Sequence, residues 1–187
     1  MDDTLNILAI TGSLRKESYN TKLLRTIKDM GPKAGLQVEI ATLHGIPLYD
    51  GDDEAKSGIP ASVLELVGKV RVADGVIIAT PEYNFSIPGV LKNATDWVSR
   101  PKDQPFKHKP VGIVGASGGP LGTGRAQYHL RQNLQGLEAL PMPKPEVFVG
   151  SAPQKFDDAG KLTDEATIKV IELWLKSFAD WVRRGKA

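Results

Sequence analysis

Three stretches of this chain combine small and polar residues in patterns suited to holding a ligand: Gly12–Asn20, Pro81–Ile87 and Ser117–Gly124, each following an apolar run. The first, Gly12-Ser13-Leu14-Arg15-Lys16-Glu17-Ser18-Tyr19-Asn20, sets hydroxyls, an amide and a guanidinium just ahead of an expected helix start. Free N–H groups and the helix dipole favour an anion there, so the stretch has the character of a phosphate cradle. It is neither Gly-x-Gly-x-x-Gly nor Gly-x-x-x-x-Gly-Lys-Ser/Thr, which excludes the dinucleotide fingerprint and the P-loop. A plain turn in which Ser18 or Asn20 caps the helix stands beside the ligand reading. Around the third stretch, Gly115-Ala116-Ser117-Gly118-Gly119 fits the Gly-x-Ser-x-Gly nucleophile elbow. Hydrolases of that class order their triad Ser, then Asp/Glu, then His, whereas no His lies beyond Asp157, Asp158 and Asp164. His44, His108 and His129 also lack metal-ligand spacing, and packed or solvated roles are expected for each.

The composition narrows the chemistry further. Cysteine is absent, which removes disulfides, thiolate metal sites, cysteine nucleophiles and thiol relays together. Any redox chemistry therefore needs a bound cofactor. The 187 residues suit one domain spanning 1–187, and 41% hydrophobic with 25% charged residues is ordinary for a globular chain. Twenty-four Lys and Arg against 22 Asp and Glu leave +2, too little for an extended cationic field, so no nucleic-acid partner is expected. Apolar runs such as Val76-Ile77-Ile78-Ala79 are far below the ~18–20 residues that span a bilayer. Met1-Asp2-Asp3 is acidic, unlike the basic start of a signal peptide, and the expectation is a cytoplasmic protein without membrane contact.

The elements that must position the three stretches follow from periodicity. Leu5–Ile10, Gly75–Thr80 and Val111–Ala116 are near-continuous apolar runs, as expected of strands buried on both faces. Val38–Leu43 carries a charge and suits an edge strand, and Val147–Val149 is a short last strand. Helices are expected from Asn20 to about Lys33, after Pro60, after Pro88, after Gly124, and from near Thr163. In the last of these, Asp164 and Glu165 open the helix and Arg183 and Arg184 close it, matching its dipole. Gly45–Gly58 is expected to be a long solvated acidic loop. Five strands alternating with five helices predict a doubly wound parallel α/β sheet of order 2-1-3-4-5. In such sheets ligands bind at the carboxyl ends of the strands where the order reverses, which brings the three stretches together.

Gly12-Ser13-Leu14-Arg15 with Ser18 and Asn20, then Pro81-Glu82-Tyr83-Asn84, then Ser86-x-Pro88-Gly89-x-Leu91-Lys92-Asn93-Ala94-x-Asp96-Trp97, resembles the NAD(P)H-dependent FMN reductase family. Within it the chain is most similar to the chromate and quinone reductases. The similarity runs from the first strand to the last helix, and three motifs in order at three strand ends make it specific.

The resemblance implies a flavodoxin-like fold holding FMN. By its motifs, Gly12, Ser13, Leu14, Arg15, Ser18 and Asn20 form the FMN phosphate loop, with Tyr19 near it. Pro81, Glu82, Tyr83 and Asn84 border the isoalloxazine ring, largely through backbone groups, and Ser117, Gly118 and Gly119 approach its pyrimidine edge. For Tyr83, packing against its own domain is the alternative, and Asn93, Asp96 and Trp97 are read as structural. The implied activity is transfer of electrons from NADPH or NADH to quinones, chromate, free flavins or azo compounds, donor and acceptor taking turns, with no catalytic side chain singled out. The competing class is a flavodoxin-type electron carrier without NAD(P)H turnover. Such carriers are typically acidic with a Thr/Ser-rich first loop, whereas this chain is +2 with Arg15 and Lys16 there. A homodimer or homotetramer is also implied. Arg125 and Tyr128, on a polar helix face that also suits plain solvation, are its candidate contacts.

Overall fold

A computed structural model describes residues 4–186; Met1-Asp2-Asp3, read above as unlike an export signal, lies outside the described residues. The two central strands illustrate why the sheet forms. All five residues of β3 (Gly75–Ala79) and all seven of β4 (Pro110–Ala116) are buried, because helices cover both faces. With β1 (Leu5–Thr11) they form the centre of a parallel sheet whose order is β2-β1-β3-β4-β5, with β2 spanning Leu36–Ala41. The doubly wound order expected from the apolar runs is the observed one.

Two cores result. On one face α1 (Tyr19–Met30) and the long last helix pack Leu23, Leu24, Ile27, Ile171, Trp174, Leu175 and Phe178 against β1 and β4. On the other, α3 (Ala61–Val72), α4 (Gly89–Val98) and α5 (Gly124–Gly136) bring Val63, Val67, Leu91, Trp97, Leu130 and Leu134 to the sheet. Asn93 and Trp97 are structural: Asn93 Oδ1 accepts from the Tyr49 N–H at 2.8 Å, and Trp97 Nε1 donates to Pro47 O at 2.9 Å. Together they pin the segment after β2 onto α4.

Three expectations need correction. The expected last strand Val147–Val149 is present as β6 beside the end of β4, but the sheet has a sixth strand that was not expected, β5 (Leu140–Pro141), beside the start of β4. Pro141, Pro143 and Pro145 carry no N–H, so a continuous ladder cannot form between them. The acidic segment is not all loop, since Gly51–Ser57 forms α2, started by Asp50, whose carboxylate accepts from the Asp52 N–H at 2.8 Å. It buries no residue, which is why apolar periodicity could not reveal it. Finally α6 spans Glu165–Lys186, and Asp164 is its cap, its Oδ1 accepting from the Thr167 N–H at 2.9 Å.

The start of α1 is tied to the end of β4 by a single side chain. Asn20, 3% exposed, donates through Nδ2 to Ala116 O and accepts through Oδ1 from Ala116 N–H, both at 2.9 Å. A side-chain amide satisfies both backbone groups of a strand end where the ladder has no partner for them. Asn20→Ala leaves the buried N–H and C=O of Ala116 unpaired, at about 1–3 kcal/mol each. Urea unfolding of the variant is expected to show about 2–4 kcal/mol less stability than the parent; a loss under ~0.5 kcal/mol would show that the brace is dispensable.

Candidate active site

The carboxyl ends of β1, β3 and β4 lie side by side, with Thr11 opposite Ala79 and Ala79 opposite Val114. Gly12 N–H donates to Ala79 O at 2.8 Å and Thr80 N–H to Val114 O at 3.0 Å, so all three loops leave the sheet at one level. Gly12 is required by that crossing. A Cβ there would stand 3.1 Å from Ala79 O and 3.2 Å from Pro81 Cδ.

In the first loop Ser18 caps α1, its Oγ accepting from the Thr21 N–H at 3.4 Å. Ser13 is 6% exposed, and its Oγ accepts from the Arg15 N–H at 3.2 Å, curling the loop over the helix start. Leu14, Arg15 and Lys16 are exposed. Among the described residues no carboxylate pairs with Arg15 or Lys16, while Glu17 is engaged by Lys22 at 3.2 Å. Tyr19 is half-buried against Phe156, ring centroids 5.7 Å apart, with Lys22 over its ring. The Asn20 carboxamide, carried into the phosphate loop by the motif, also braces Ala116 through one N–H and its oxygen. Its backbone N–H lies in the first turn of α1. Hydroxyls, an uncommitted guanidinium and a helix N-terminus thus converge, a donor set that fits a phosphate.

The second loop has a form that its motif did not specify. Tyr83 and Ser86 exchange backbone hydrogen bonds of 3.1 and 3.0 Å, and the two residues between them, Asn84 and Phe85, have φ of 50° and 65°. This is a two-residue hairpin with both central residues left-handed, as a type I′ turn requires. Asn tolerates that region; Phe does so at about 1–3 kcal/mol of strain. Phe85 is also 64% exposed and Tyr83 50%, so Tyr83 faces out rather than packing into its own domain. Pro81 is buried, and its carbonyl accepts from Thr80 Oγ1 at 2.8 Å. Glu82, Asn84 and Phe85 line a cavity of about 410 Å³.

The Glu82 side chain does not face that opening alone. One carboxylate oxygen accepts from the Ala126 N–H at 3.0 Å in the first turn of α5, and the other lies 3.4 Å from Arg125 Nη1. Arg125 in turn covers the Phe85 ring, its Cζ 4.2 Å from the centroid. One turn further along α5, His129 Nδ1 sits 3.0 Å from Ser86 Oγ. None of these links was visible in the sequence, because each joins residues forty or more positions apart.

The third loop is held rigidly from behind. Ser117 Oγ donates to Gly122 O at 2.6 Å, Ser117 N–H donates to Val149 O at 3.0 Å, and Ser151 N–H to Gly119 O at 3.0 Å. Gly122 has φ 61° and backs onto Phe148, where a Cβ would fall 2.9 Å from the Phe148 carbonyl carbon. The Ser117 hydroxyl is therefore committed to loop geometry. In front, a Cβ on Gly118 would meet nothing within 4 Å, and one on Gly119 only Ser117 Oγ at 3.9 Å. The loop offers its backbone to open space beside the second loop, which suits a flat polar ring edge.

A larger groove of about 810 Å³ lies elsewhere, near the amino ends of β1 and β2 between Asn6, Gln37, Glu39 and Lys69. Ligand-binding geometry in a doubly wound sheet points to the opposite end. Among the described residues there is no group of three or more His, Asp or Glu placed to hold a metal, and no helix long and apolar enough to cross a membrane.

Known proteins resemble this chain over its whole length. A family profile described as NADPH-dependent FMN reductase matches residues 5–154. A protein of Pseudomonas aeruginosa named NAD(P)H-dependent FMN reductase is 47% identical over 184 residues, covering 98% of each chain. A quinone reductase of Escherichia coli is 43% identical over 188 residues, all of both chains. Among solved structures, the flavoenzyme NAD(P)H:(acceptor) oxidoreductase FerB of Paracoccus denitrificans superposes with a TM-score of 0.85 at 34% identity, covering 96% of this chain and 98% of its own. Such full-length agreement, on a flavodoxin-like fold with three loops at one sheet end, does not favour a simple electron carrier. The chain belongs to the NADPH-dependent FMN reductase family and is a flavin-dependent oxidoreductase.

Proposed function

We propose that the chain, acting as one FMN-binding domain over 1–187, takes reducing equivalents from NADPH or NADH and passes them to quinones. Chromate, free flavins and azo compounds are further acceptors of the same electronic kind. The observation that carries the reading is the pairing of a helix N-terminus lined by Ser13, Arg15 and Ser18 with an open glycine backbone at Gly118–Gly119. FMN has a dianionic phosphate at one end and a hydrogen-bonding ring at the other, and when bound it supplies the two-electron redox chemistry that this cysteine-free chain lacks.

The residues divide the work by position. Gly12 lets the first two loops cross, and Ser13, Leu14, Arg15, Ser18 and the backbone N–H groups of Tyr19 and Asn20 surround the phosphate. Arg15 contributes a fixed positive charge, and the start of α1 adds its dipole. Pro81, Glu82, Tyr83 and Asn84 border the ring. Ser117 shapes the third loop, and the open backbone at Gly118 and Gly119 would meet the ring edge and supply N–H groups that favour negative charge there. The exposed faces of Tyr83 and Phe85 form an aromatic rim on which planar donors and acceptors stack in turn. No titratable side chain needs to transfer a proton in this scheme. A location in the cytoplasm is supported by use of NAD(P)H, and a homodimer or homotetramer by the exposed Phe85, Leu121 and Tyr128 around the site.

The site assignments can be checked separately from turnover. Gly118→Val adds a side chain to space that is empty in the apoprotein, so the fold is expected to be unaffected while FMN affinity falls at least tenfold. Parental flavin content after purification would disprove the assignment. Arg15→Ala is expected to weaken FMN binding several-fold through loss of a charge-assisted contact, measured by quenching of FMN fluorescence on titration. For the activity itself, NADPH and a quinone are expected to be consumed catalytically with parallel double-reciprocal lines, because donor and acceptor share one site. Intersecting lines would mean that both bind together.

A further inference from the structure

We propose that Glu82 is a positioning residue whose carboxylate latches the second loop to α5 and so makes the second and third loops move as one body. The proposal rests on the reading that these two loops border the flavin ring. It goes beyond that reading by giving the Glu82 side chain a task away from the ring itself.

The start of α5 poses a specific problem. Thr123 occupies the capping position but makes no side-chain cap bond; its Oγ1 accepts from Gln127 Nε2 at 3.1 Å and it is fully buried. Free N–H groups at a helix start demand an acceptor. Glu82 supplies it from another loop, accepting from the Ala126 N–H at 3.0 Å with a side chain only 11% exposed. A carboxylate at a helix N-terminus is favoured by both hydrogen bonding and the dipole. Arg125, the helix residue beside it, holds the second carboxylate oxygen and lies on Phe85, so charge is balanced where the hairpin turns.

The consequence is mechanical. Helix α5 begins directly after the third loop, at Gly124, so whatever fixes its first turn also fixes the end of Ser117–Thr123. The hairpin 82–86 is gripped by α5 at both ends, through Glu82 at Ala126 and through Ser86 at His129. Its tip is held in a strained left-handed conformation that an unanchored loop would relax. With the latch closed, the backbone groups bordering the ring keep fixed spacing; with it open, each loop moves alone.

The test uses the full chain and two variants. Glu82→Gln keeps an oxygen for the Ala126 N–H and removes the charge, whereas Glu82→Ala removes the acceptor altogether. In the apoprotein, hydrogen exchange of segments 82–86 and 117–127 is expected to accelerate about tenfold in Glu82→Ala and to stay within about threefold of the parent in Glu82→Gln. FMN dissociation constants, read by fluorescence titration, are expected to follow the same order. Unchanged exchange at 117–123 in Glu82→Ala, or an equal loss of FMN affinity in both variants, would overturn the latch. Should Glu82→Ala fail to fold, Glu82→Asp takes its place: its shorter side chain withdraws the carboxylate from the Ala126 N–H, exchange is expected to accelerate in both segments, and unchanged exchange at 117–123 would overturn the latch. Exchange is read without FMN, so failure of the flavin reading and failure of the latch remain distinguishable.

Discussion

The Asn20 carboxamide, buried beneath the site, makes two hydrogen bonds to the last residue of β4 and thereby sets where α1 begins relative to the sheet. The features of the first loop are arranged around that point. Ser18 caps the helix two residues earlier, Ser13 curls the loop over it, and Arg15 projects from the curl. A helix N-terminus attracts an anion only if its N–H groups are aimed and kept dry, and a brace to the central strand achieves the aim.

The second loop depends on the opposite strategy. The first loop is shaped by its own hydroxyls, while the second takes its shape from helix α5. A two-residue hairpin with Phe85 in the left-handed region and exposed to solvent is unfavourable twice over. Such a conformation persists only where neighbours over-determine it, and here Glu82, Arg125 and the Ser86–His129 contact do so. The third loop is fixed from behind by Val149 of β6 and by Ser151 just beyond it, which leaves the front of Gly118 and Gly119 open.

Much of this architecture was legible in the chain. The runs Leu5–Ile10, Gly75–Thr80 and Val111–Ala116 announced strands covered on both sides, and Pro60 and Pro88 marked the starts of α3 and α4. The failures have physical causes. Helix α2 buries nothing, so its only signals are the Asp50 cap and three acids in its first turn. The separation of β5 from β6 was encoded by Pro141, Pro143 and Pro145, but an edge strand tolerates proline and their spacing does not say where pairing stops. What the sequence could not show for Asn20 is its brace to Ala116, because a polar residue beside a helix start serves equally as ligand, cap or brace.

By itself the sequence determined the buried central strands, the helices that pack on them, the order of those strands in the sheet, and which three loops meet, since these follow from apolar periodicity and from the packing rules of parallel sheets. It also determined that electrons must travel through a bound group, because no thiol is present. Only the tertiary structure decided what the polar side chains in those loops do. Asn20 finds its partner 96 residues away and Glu82 finds its partner 44 residues away. A buried hydrogen bond is chosen by whichever unpaired backbone group the fold happens to place within 3 Å, and no local pattern records that choice.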